Sequence, residues 1–362
     1  MLQIIADFLI KYSSFFNVFQ YITFRSGAAL FTSFLIMLIF GSRFISFLSS
    51  FQKHGQPIRE DGPQNHLIIK KGTPCMGGIL IILAVLASTI LWGNIGNSYI
   101  WLLNFALIAF GLIGGIDDYK KLKFNNSKGL SAKLKFSLQL ILSLIVVFTV
   151  SKISTANHST TIFFPFFKNL MLDMGVFYFI FTMCVVVGSS NAVNLTDGLD
   201  GLAIGPIIII SAFFAIIAYL TGNIVFANYL KIAYIKNSGE IMVFCSALIG
   251  AGLGFLWYNA PPAKVIMGDT GSLALGAVVG IISIITKHEI ILFITGFVFV
   301  FEAISVILQV YSFKLRGKRI FKMAPIHHHF EKIGWSEPTI VIRFWILAII
   351  FALIGLASLK IR

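Results

Sequence analysis

The chain has 362 residues, of which 57% are hydrophobic and only 12% are charged, and its mean hydropathy is +0.91. This composition excludes a soluble domain with a large core and is typical of a protein that crosses a membrane many times. The net charge of +14 comes without a nucleic-acid-binding motif, so it indicates basic loops beside an anionic leaflet and no nucleic-acid partner.

Ten apolar segments predict an all-α polytopic integral membrane protein with about ten transmembrane helices. A helix of about 20 residues crosses a hydrocarbon core of ~30 Å. The segments are 26–48, 75–93, 98–116, 134–151, 172–190, 202–220, 240–258, 272–287, 289–311 and 339–359. The first 20 residues carry several phenylalanines but no cleavage site, which favours an interfacial helix over a signal peptide. Without an internal repeat or a soluble segment, residues 1–362 are interpreted as one membrane domain.

The distribution of basic residues predicts the orientation. Loops after the odd-numbered segments carry sixteen Lys and Arg, whereas the opposite side carries nine. The positive-inside rule therefore makes the odd loops cytoplasmic and both termini external. The three cysteines are isolated and form neither a disulfide framework nor a metal-binding pattern.

A basic loop precedes the second segment. Thr73 is expected to cap a helix and Pro74 to occupy its first position. Lys70 and Lys71 would then lie at the positive end of that helix, which suits an anion. The alternative is a simple cap with lysines that follow the positive-inside rule.

The third segment ends in two adjacent acids, Asp117 and Asp118. Neighbouring helix residues differ by ~100° in direction, so we expect one carboxylate to face a site and the other to bond lysine or backbone. Acids at a helix C-terminus oppose the helix dipole, which favours a functional role. The lysines that follow are Lys120, Lys121, Lys123, Lys128 and Lys133.

A polar stretch separates the fifth and sixth segments and contains Asn191, Asn194, Asp197 and Asp200. In a helix that begins here the two aspartates are three residues apart, so their carboxylates would share one face. The glycines on either side of Leu199 allow close approach of a ligand to the backbone. The alternative interpretation is a polar turn between two spans.

Asp269 opens the eighth segment, where it or Thr270 is also explained as an ordinary helix cap. That explanation leaves open why five aspartates fall on the predicted cytoplasmic face. Two carboxylates ~4 Å apart repel by about 4 kcal/mol at an effective dielectric near 20. Converging acids either protonate or hold a divalent cation, and hard oxygen ligands predict Mg²⁺ together with a phosphate-bearing substrate.

The ninth segment contains Glu302 and Gln309. An acid inside a membrane is costly and is a functional candidate, although a buried hydrogen bond to a neighbouring helix is favoured for Glu302. The last loop contains His327, His328 and His329, a pattern that suits zinc. Because neighbouring side chains diverge, phosphate hydrogen bonding and capping of a short helix are favoured over one metal site.

The motifs resemble those of the polyprenyl-phosphate N-acetylhexosamine-1-phosphate transferases from Lys71 to Trp345. Cys75 stands where that family usually has Thr, and Ile266 where Phe is expected. The shared motifs are Thr-Pro-x-Met-Gly-Gly, Asp117-Asp118-Tyr-x-Lys, Asn191-x-x-Asn194-Leu-Thr-Asp197-Gly-Leu-Asp200-Gly, Asn259-x-x-Pro-Ala, Met267-Gly-Asp269-x-Gly-Ser and Ala324-Pro-Ile-His-His-His-Phe-Glu.

The triple-histidine form implies the branch that transfers phospho-MurNAc-pentapeptide from UDP to undecaprenyl phosphate, with Mg²⁺, in the bacterial inner membrane and as a homodimer. By resemblance Asp269 is the metal ligand, Asp117 deprotonates or positions the lipid phosphate, and Asp118 supports it. Direct attack by the lipid phosphate and a two-step reaction through a covalent phospho-aspartate are both compatible with the sequence. The substrate-binding residues would be Lys70, Lys71, Thr73, Lys121, Lys133, Asn191, Asn194, Asp197, Gly198, Leu199, Asp200, Asn259, Gln309, His327, His328 and His329.

Two other classes of protein compete with the enzyme. A secondary transporter also has intramembrane acids and broken helices, but here the acids cluster at one face, not at the midplane, and no inverted repeat is visible. A membrane scaffold leaves the aspartates unexplained.

Overall fold

The computed structural model describes residues 1–52, 55, 72–125, 129–154, 159–167 and 170–361. Nine of the ten predicted segments each overlap one α-helix, and the ninth is divided between two. The helices are α1 Leu2–Leu9, α2 Ile22–Phe51, α3 Gly78–Trp92, α4 Ser98–Lys123, α5 Ala132–Ile153, α6 Phe177–Thr196, α7 Ile204–Gly222, α8 Ile224–Leu230, α9 Ile241–Asn259, α10 Gly268–Ile285, α11 Glu289–Thr295, α12 Phe297–Arg316, α13 Ile326–Lys332 and α14 Glu337–Ile361.

Among the described residues, nine helices are long and apolar enough to cross a membrane, and α3 is a shorter apolar helix of 15 residues. The all-α polytopic fold is therefore confirmed. The one sheet in this part of the chain is an antiparallel hairpin of β1 Thr161–Phe163 and β2 Met171–Asp173, in which Thr161 pairs with Asp173. Short 3₁₀ turns cover Ser14–Gln20 and Ser238–Glu240.

Helix α10 is the buried axis of the bundle. It packs between α4 and α6, and every one of its residues is buried except Asp269 in its first turn. A second layer is formed by α9, which packs against α2 and α7. A helix that is apolar all round belongs inside a bundle, so the polar first turn of α10 marks where the bundle opens.

The ends of α4, α6 and α9 meet the beginnings of α3, α5, α7 and α10 at one end of the bundle, called here the site face. Gly78 N donates to Met267 O at 3.0 Å, which joins the first turns of α3 and α10 there. At the opposite end, the Met1 ammonium donates to Ile90 O in the last turn of α3, at 2.9 Å. The amino terminus and the site face therefore lie at opposite ends.

The predicted helix start at Thr73 and Pro74 is wrong, because α3 begins only at Gly78. Residues 74–77 instead run beside the segment before α10: Ile266 N donates to Pro74 O, and Gly77 N donates to Ile266 O, each at 2.9 Å. Gln52 also holds both backbone groups of Cys75. Tertiary hydrogen bonds thus replace the predicted first turn.

Two further local predictions were wrong. Neither Asp269 nor Thr270 caps α10, since Met267 precedes its first residue and no side chain caps it. The ninth segment is not one helix, because α11 ends at Thr295 and α12 begins after Gly296.

Candidate active site

Three carboxylates converge at the site face. One oxygen from each of Asp117, Asp118 and Asp269 lies within 4.8 Å of the others, and no other such His, Cys, Asp or Glu group occurs in the described ranges. Asp117 and Asp118 are 2% and 1% exposed, whereas the Asp269 side chain is 16% exposed. These three residues are called here the acid cluster. Asp269 is its most exposed member and is therefore the one that a ligand can reach.

Asp118 is anchored to the first turn of α10. Its Oδ1 accepts from Asp269 N at 3.2 Å, and its Oδ2 accepts from Thr270 N at 2.9 Å and from Thr270 Oγ1 at 2.8 Å. A carboxylate at a helix N-terminus satisfies free backbone amides and complements the helix dipole. The expectation that one member of the adjacent pair bonds backbone is confirmed.

Asp117 is held by a different set of donors. Its Oδ1 accepts from Leu130 N at 2.7 Å, and its Oδ2 lies 2.6 Å from Lys121 Nζ, one helical turn away. Gly129 passes over this carboxylate with φ +59°, and a Cβ there would come within 2.6 Å of Asp117 Oδ1. Only glycine combines this backbone conformation with such a close approach.

Two lysines neutralise most of the acid cluster. Lys121 Nζ lies 2.6 Å from Asp117, 3.0 Å from Asp269 and 3.8 Å from Asp118. Lys135 Nζ lies 2.6 Å from Asp269 Oδ2 and 3.8 Å from Asp117 Oδ2. Three carboxylates against two ammonium groups leave a formal charge of about −1 when all five are ionised.

Lys135 is a site residue that the sequence reasoning missed in favour of Lys133, which is exposed. The sequence did contain a signal for it, because the polar residues Gln139 and Ser143 follow position 135 at intervals of one helical turn in a largely apolar segment. One turn before Gln139 on the same face comes residue 135, not residue 133.

The asparagines at the end of α6 face the same region. Asn194 Nδ2 lies 2.8 Å from both Asp269 Oδ1 and Ser272 Oγ, so Asn194 joins α6 to the first turn of α10. Asn191 Nδ2 donates to Gln139 Oε1 at 2.7 Å, which joins α6 to α5. Together with Lys121, Asn194 is the predicted binding residue that the structure places directly on the acid cluster.

Asp197 and Asp200 do not share a helix face, because α6 ends at Thr196 and α7 begins at Ile204. Residues 197–203 form a connection, called here the α6–α7 loop, in which Gly201 adopts φ +77° and prevents a continuous helix. The polar-turn interpretation was correct for the backbone.

Several neighbours hold the α6–α7 loop in place. Asp200 N donates to Glu337 Oε1 at 2.7 Å, and Asp200 Oδ2 accepts from Ala263 N at 2.9 Å. Asn259 Oδ1 accepts from Gly201 N at 3.0 Å, so the loop is fixed to the beginning of α14 and to the end of α9. Leu199 is 2% exposed and packs in an apolar cluster, which makes it a packing residue of the loop.

The three histidines diverge on the short helix α13, as expected. His327 is buried with Nδ1 3.1 Å from Glu302 Oε2, and His328 Nδ1 lies 2.6 Å from Glu331 Oε2. His329 Nδ1 accepts from Lys322 N at 3.1 Å. One metal ion shared by all three is incompatible with these different directions.

The remaining predicted residues lie at the edges of the site. Gln309 bonds the backbone of Ile320 and Phe321, at 2.9–3.0 Å, and shapes the loop before α13. Thr73 is half-buried before α3. Lys70 and Lys71 lie outside the described residues.

The donor set of the acid cluster fits a hard divalent cation. Carboxylate oxygens are the ligands that Mg²⁺ takes in proteins, usually with substrate phosphates completing its shell. The Lys121 ammonium lies within 3.8 Å of all three carboxylates, as expected for a position where their negative charges attract a cation. Asp269, Asp117 and Asp118 are thus the residues that would hold such an ion.

Known proteins are similar in sequence to this chain over all or nearly all of its length. Residues 100–287 match the family described as Glycosyl transferase family 4, and residues 70–82 match phospho-N-acetylmuramoyl-pentapeptide-transferase signature 1. The transferase of that name from Pelagibacter ubique (strain HTCC1062) is 56% identical over 362 residues, which cover 100% of both chains. The one from Rickettsia prowazekii (strain Madrid E) is 58% identical over 347 residues, 96% of each chain. The chain therefore belongs to the phospho-N-acetylmuramoyl-pentapeptide-transferases, a family of membrane-bound glycosyl-1-phosphate transferases.

Proposed function

We propose that this enzyme transfers phospho-MurNAc-pentapeptide from UDP-MurNAc-pentapeptide to undecaprenyl phosphate, depends on Mg²⁺, and forms lipid I and UMP. The observation that carries the proposal is the acid cluster with its two lysines, at the one place where the buried axis α10 opens. Family membership supplies the sugar-phosphate chemistry. The two lysines, together with a divalent cation held by the three carboxylates, would supply the positive charge that two anionic substrates require.

Asp117 is the group proposed to act on the lipid phosphate. Leu130 N fixes one of its oxygens and Lys121 contacts the other, so the carboxylate is held in one orientation. From Oδ2 it takes a proton from the phosphate or aligns that phosphate for attack on the sugar-linked phosphorus. The phosphorus–oxygen bond to UMP then breaks, and UMP leaves with the bonding electron pair.

Lys121 and Lys135 are proposed to turn from the carboxylates to the phosphates when substrates bind. Their ammonium groups then neutralise charge on the diphosphate oxygens at the stage where it increases. Asp269, Asp117 and Asp118 would hold Mg²⁺, which would screen the charges of the acids and of the diphosphate. Asp118, whose oxygens hold the first turn of α10, keeps Asp269 directed toward that diphosphate.

The nucleotide and the sugar are proposed to lie beyond Asn194 as seen from the acid cluster. Asp197, Gly198 and Asp200 would line the nucleotide pocket, with Lys70 or Lys71 near the uridine. Asn259, Gln309, His328 and His329 would face the sugar phosphate. The excess of basic residues in the odd loops supports a site face on the cytoplasmic side of the inner membrane, with external termini. A homodimer is proposed from the family resemblance alone.

The experiment is a reconstitution with purified protein, UDP-MurNAc-pentapeptide, undecaprenyl phosphate and Mg²⁺, followed by lipid extraction. We expect a lipid-linked MurNAc-pentapeptide and stoichiometric UMP. Uptake of the nucleotide into proteoliposomes without a lipid product would favour the transporter. Efficient transfer from UDP-GlcNAc would move the chain to another branch of the superfamily.

A further inference from the structure

Glu302 and His327 form a buried polar contact outside the acid cluster. Glu302 lies within α12 and His327 in the first turn of α13, and both are 0% exposed. Nδ1 of His327 is 3.1 Å from Oε2 of Glu302. Within the described ranges, neither Glu302 oxygen and neither imidazole nitrogen has an aligned hydrogen-bond partner. The two side chains therefore depend on each other for electrostatic compensation.

The opposite edge of the His327 ring contacts the α6–α7 loop. A Cβ added at Gly198 would come 2.9 Å from Cε1 of His327 and still closer to Nε2. The imidazole thus fills the space that any side chain at position 198 would need. His327 lies between a membrane helix on one side and the loop of Asp197 and Asp200 on the other.

We propose that Glu302 and His327 are a positioning pair that sets the α6–α7 loop for the nucleotide substrate, an inference that rests on the proposed function. The carboxylate attracts the Nδ1 proton of His327 and so fixes the tautomer and the plane of the ring. The ring then holds Gly198 at one distance from α12. Neither residue touches the substrate, and their effect passes through Asp197 and Asp200.

The chemical nature of the pair argues for a positioning role. A well-packed apolar pair of similar volume is often as stable as a buried polar pair, so stability alone does not require an acid within an apolar helix. Apolar side chains lack the electrostatic attraction that brings one edge of the His327 ring toward Glu302. The neighbouring His328 and His329 contact Glu331 and Lys322 instead, so they do not share this role.

The test compares Glu302→Leu, Glu302→Gln and His327→Leu by steady-state kinetics, varying each substrate in turn. We expect Glu302→Leu and His327→Leu to raise KM for UDP-MurNAc-pentapeptide by about tenfold or more, the lower end of what losing an interaction with a charged group costs. KM for undecaprenyl phosphate should stay unchanged. Glu302→Gln, whose amide oxygen can take the place of Oε2 beside Nδ1, should avoid most of this increase, and the double leucine variant should be no worse than His327→Leu.

Glu240→Leu is the matched control, because Glu240 is a buried acid that pairs with Arg25 near the far end of α3, at 2.7 and 2.5 Å. It should lower the Tm without changing either KM.

Equal changes in both KM values, a loss confined to kcat, or the same nucleotide effect in Glu240→Leu would overturn the proposal. If the leucine variants do not fold, Glu302→Gln and His327→Gln are compared, and an unchanged nucleotide KM in His327→Gln overturns it. Wild-type protein that makes no lipid product would instead refute the proposed function.

Discussion

Lys135 Nζ lies 2.6 Å from Asp269 Oδ2 and 3.8 Å from Asp117 Oδ2, so a single lysine on α5 joins the carboxylates of α4 and α10. Helix α5 is otherwise largely exposed at the edge of the bundle. Its first turn is therefore drawn to the acid cluster by charge, whereas its later turns are held by apolar packing.

Lys135→Met should reduce kcat/KM by about 10- to 150-fold, because losing a hydrogen bond to a charged group costs roughly 1.5–3 kcal/mol. Lys133→Met is the control, since Lys133 is exposed and lies two residues away on the same helix. Initial rates of UMP release measure both. A larger loss in Lys133→Met than in Lys135→Met would show that the wrong lysine has been assigned.

Asp269→Asn should remove turnover and weaken the dependence on Mg²⁺ while leaving the fold intact. Asn194 and the lysines still find an oxygen at this position, but the negative charge that attracts a cation is gone. Thermal unfolding with and without MgCl₂ gives a readout independent of activity: the wild type should be stabilised by Mg²⁺ and the variant should not. Near-normal rates at low Mg²⁺ would contradict the assignment.

Asp117→Asn should mainly impair turnover, whereas Asp118→Asn should also impair stability. Asp117→Asn should lower kcat far more than it raises KM, because its proposed action is on the reacting phosphate. Asp118→Asn should also lower the free energy of unfolding by about 1.5–3 kcal/mol. The amide nitrogen of asparagine cannot accept a hydrogen bond, so either the bond from Asp269 N or the bonds from Thr270 would be lost. Denaturant titration in detergent measures this loss of stability. Wild-type stability of Asp118→Asn would argue against the anchoring role.

The orientation is testable with single cysteines introduced after the native three are replaced. Cysteines near Lys123 and Lys318 should be shielded from an impermeant thiol reagent in intact cells, whereas one near Thr160 should label. The reason is the excess of basic residues in the odd loops. Labelling of the Lys318 loop from outside would overturn the cytoplasmic placement of the site.

Hydropathy and length were sufficient to locate the helices, because a bilayer requires long apolar segments whatever their neighbours are. The acid cluster was also within reach, since buried charges in an apolar chain are conspicuous. What sequence reasoning missed depends on tertiary contacts. Residues 74–77 pair with the segment before α10 instead of starting a helix, and nothing local in Thr73-Pro74 signals that partner.

The histidines show the same limit. Divergence of three consecutive side chains follows from helix geometry, but which of them turns inward depends on Glu302, 25 residues earlier in the chain. His327 was expected to contact substrate, and its burial places it behind the loop instead. Lys135 differs from these cases, because the helical spacing of the polar residues Gln139 and Ser143 already marked its face of α5 in the sequence.

Helix α3 is shorter than the hydrocarbon core of a typical bilayer. Its 15 residues span only about 22 Å, less than the ~30 Å of a typical hydrocarbon core. Pro74 and Cys75, extended and buried just before this helix, therefore fall at a depth where acyl chains would otherwise lie. Both residues are buried, and Gln52 and Ile266 hydrogen-bond their backbone, so this non-helical segment is tolerated at that depth without contact with lipid.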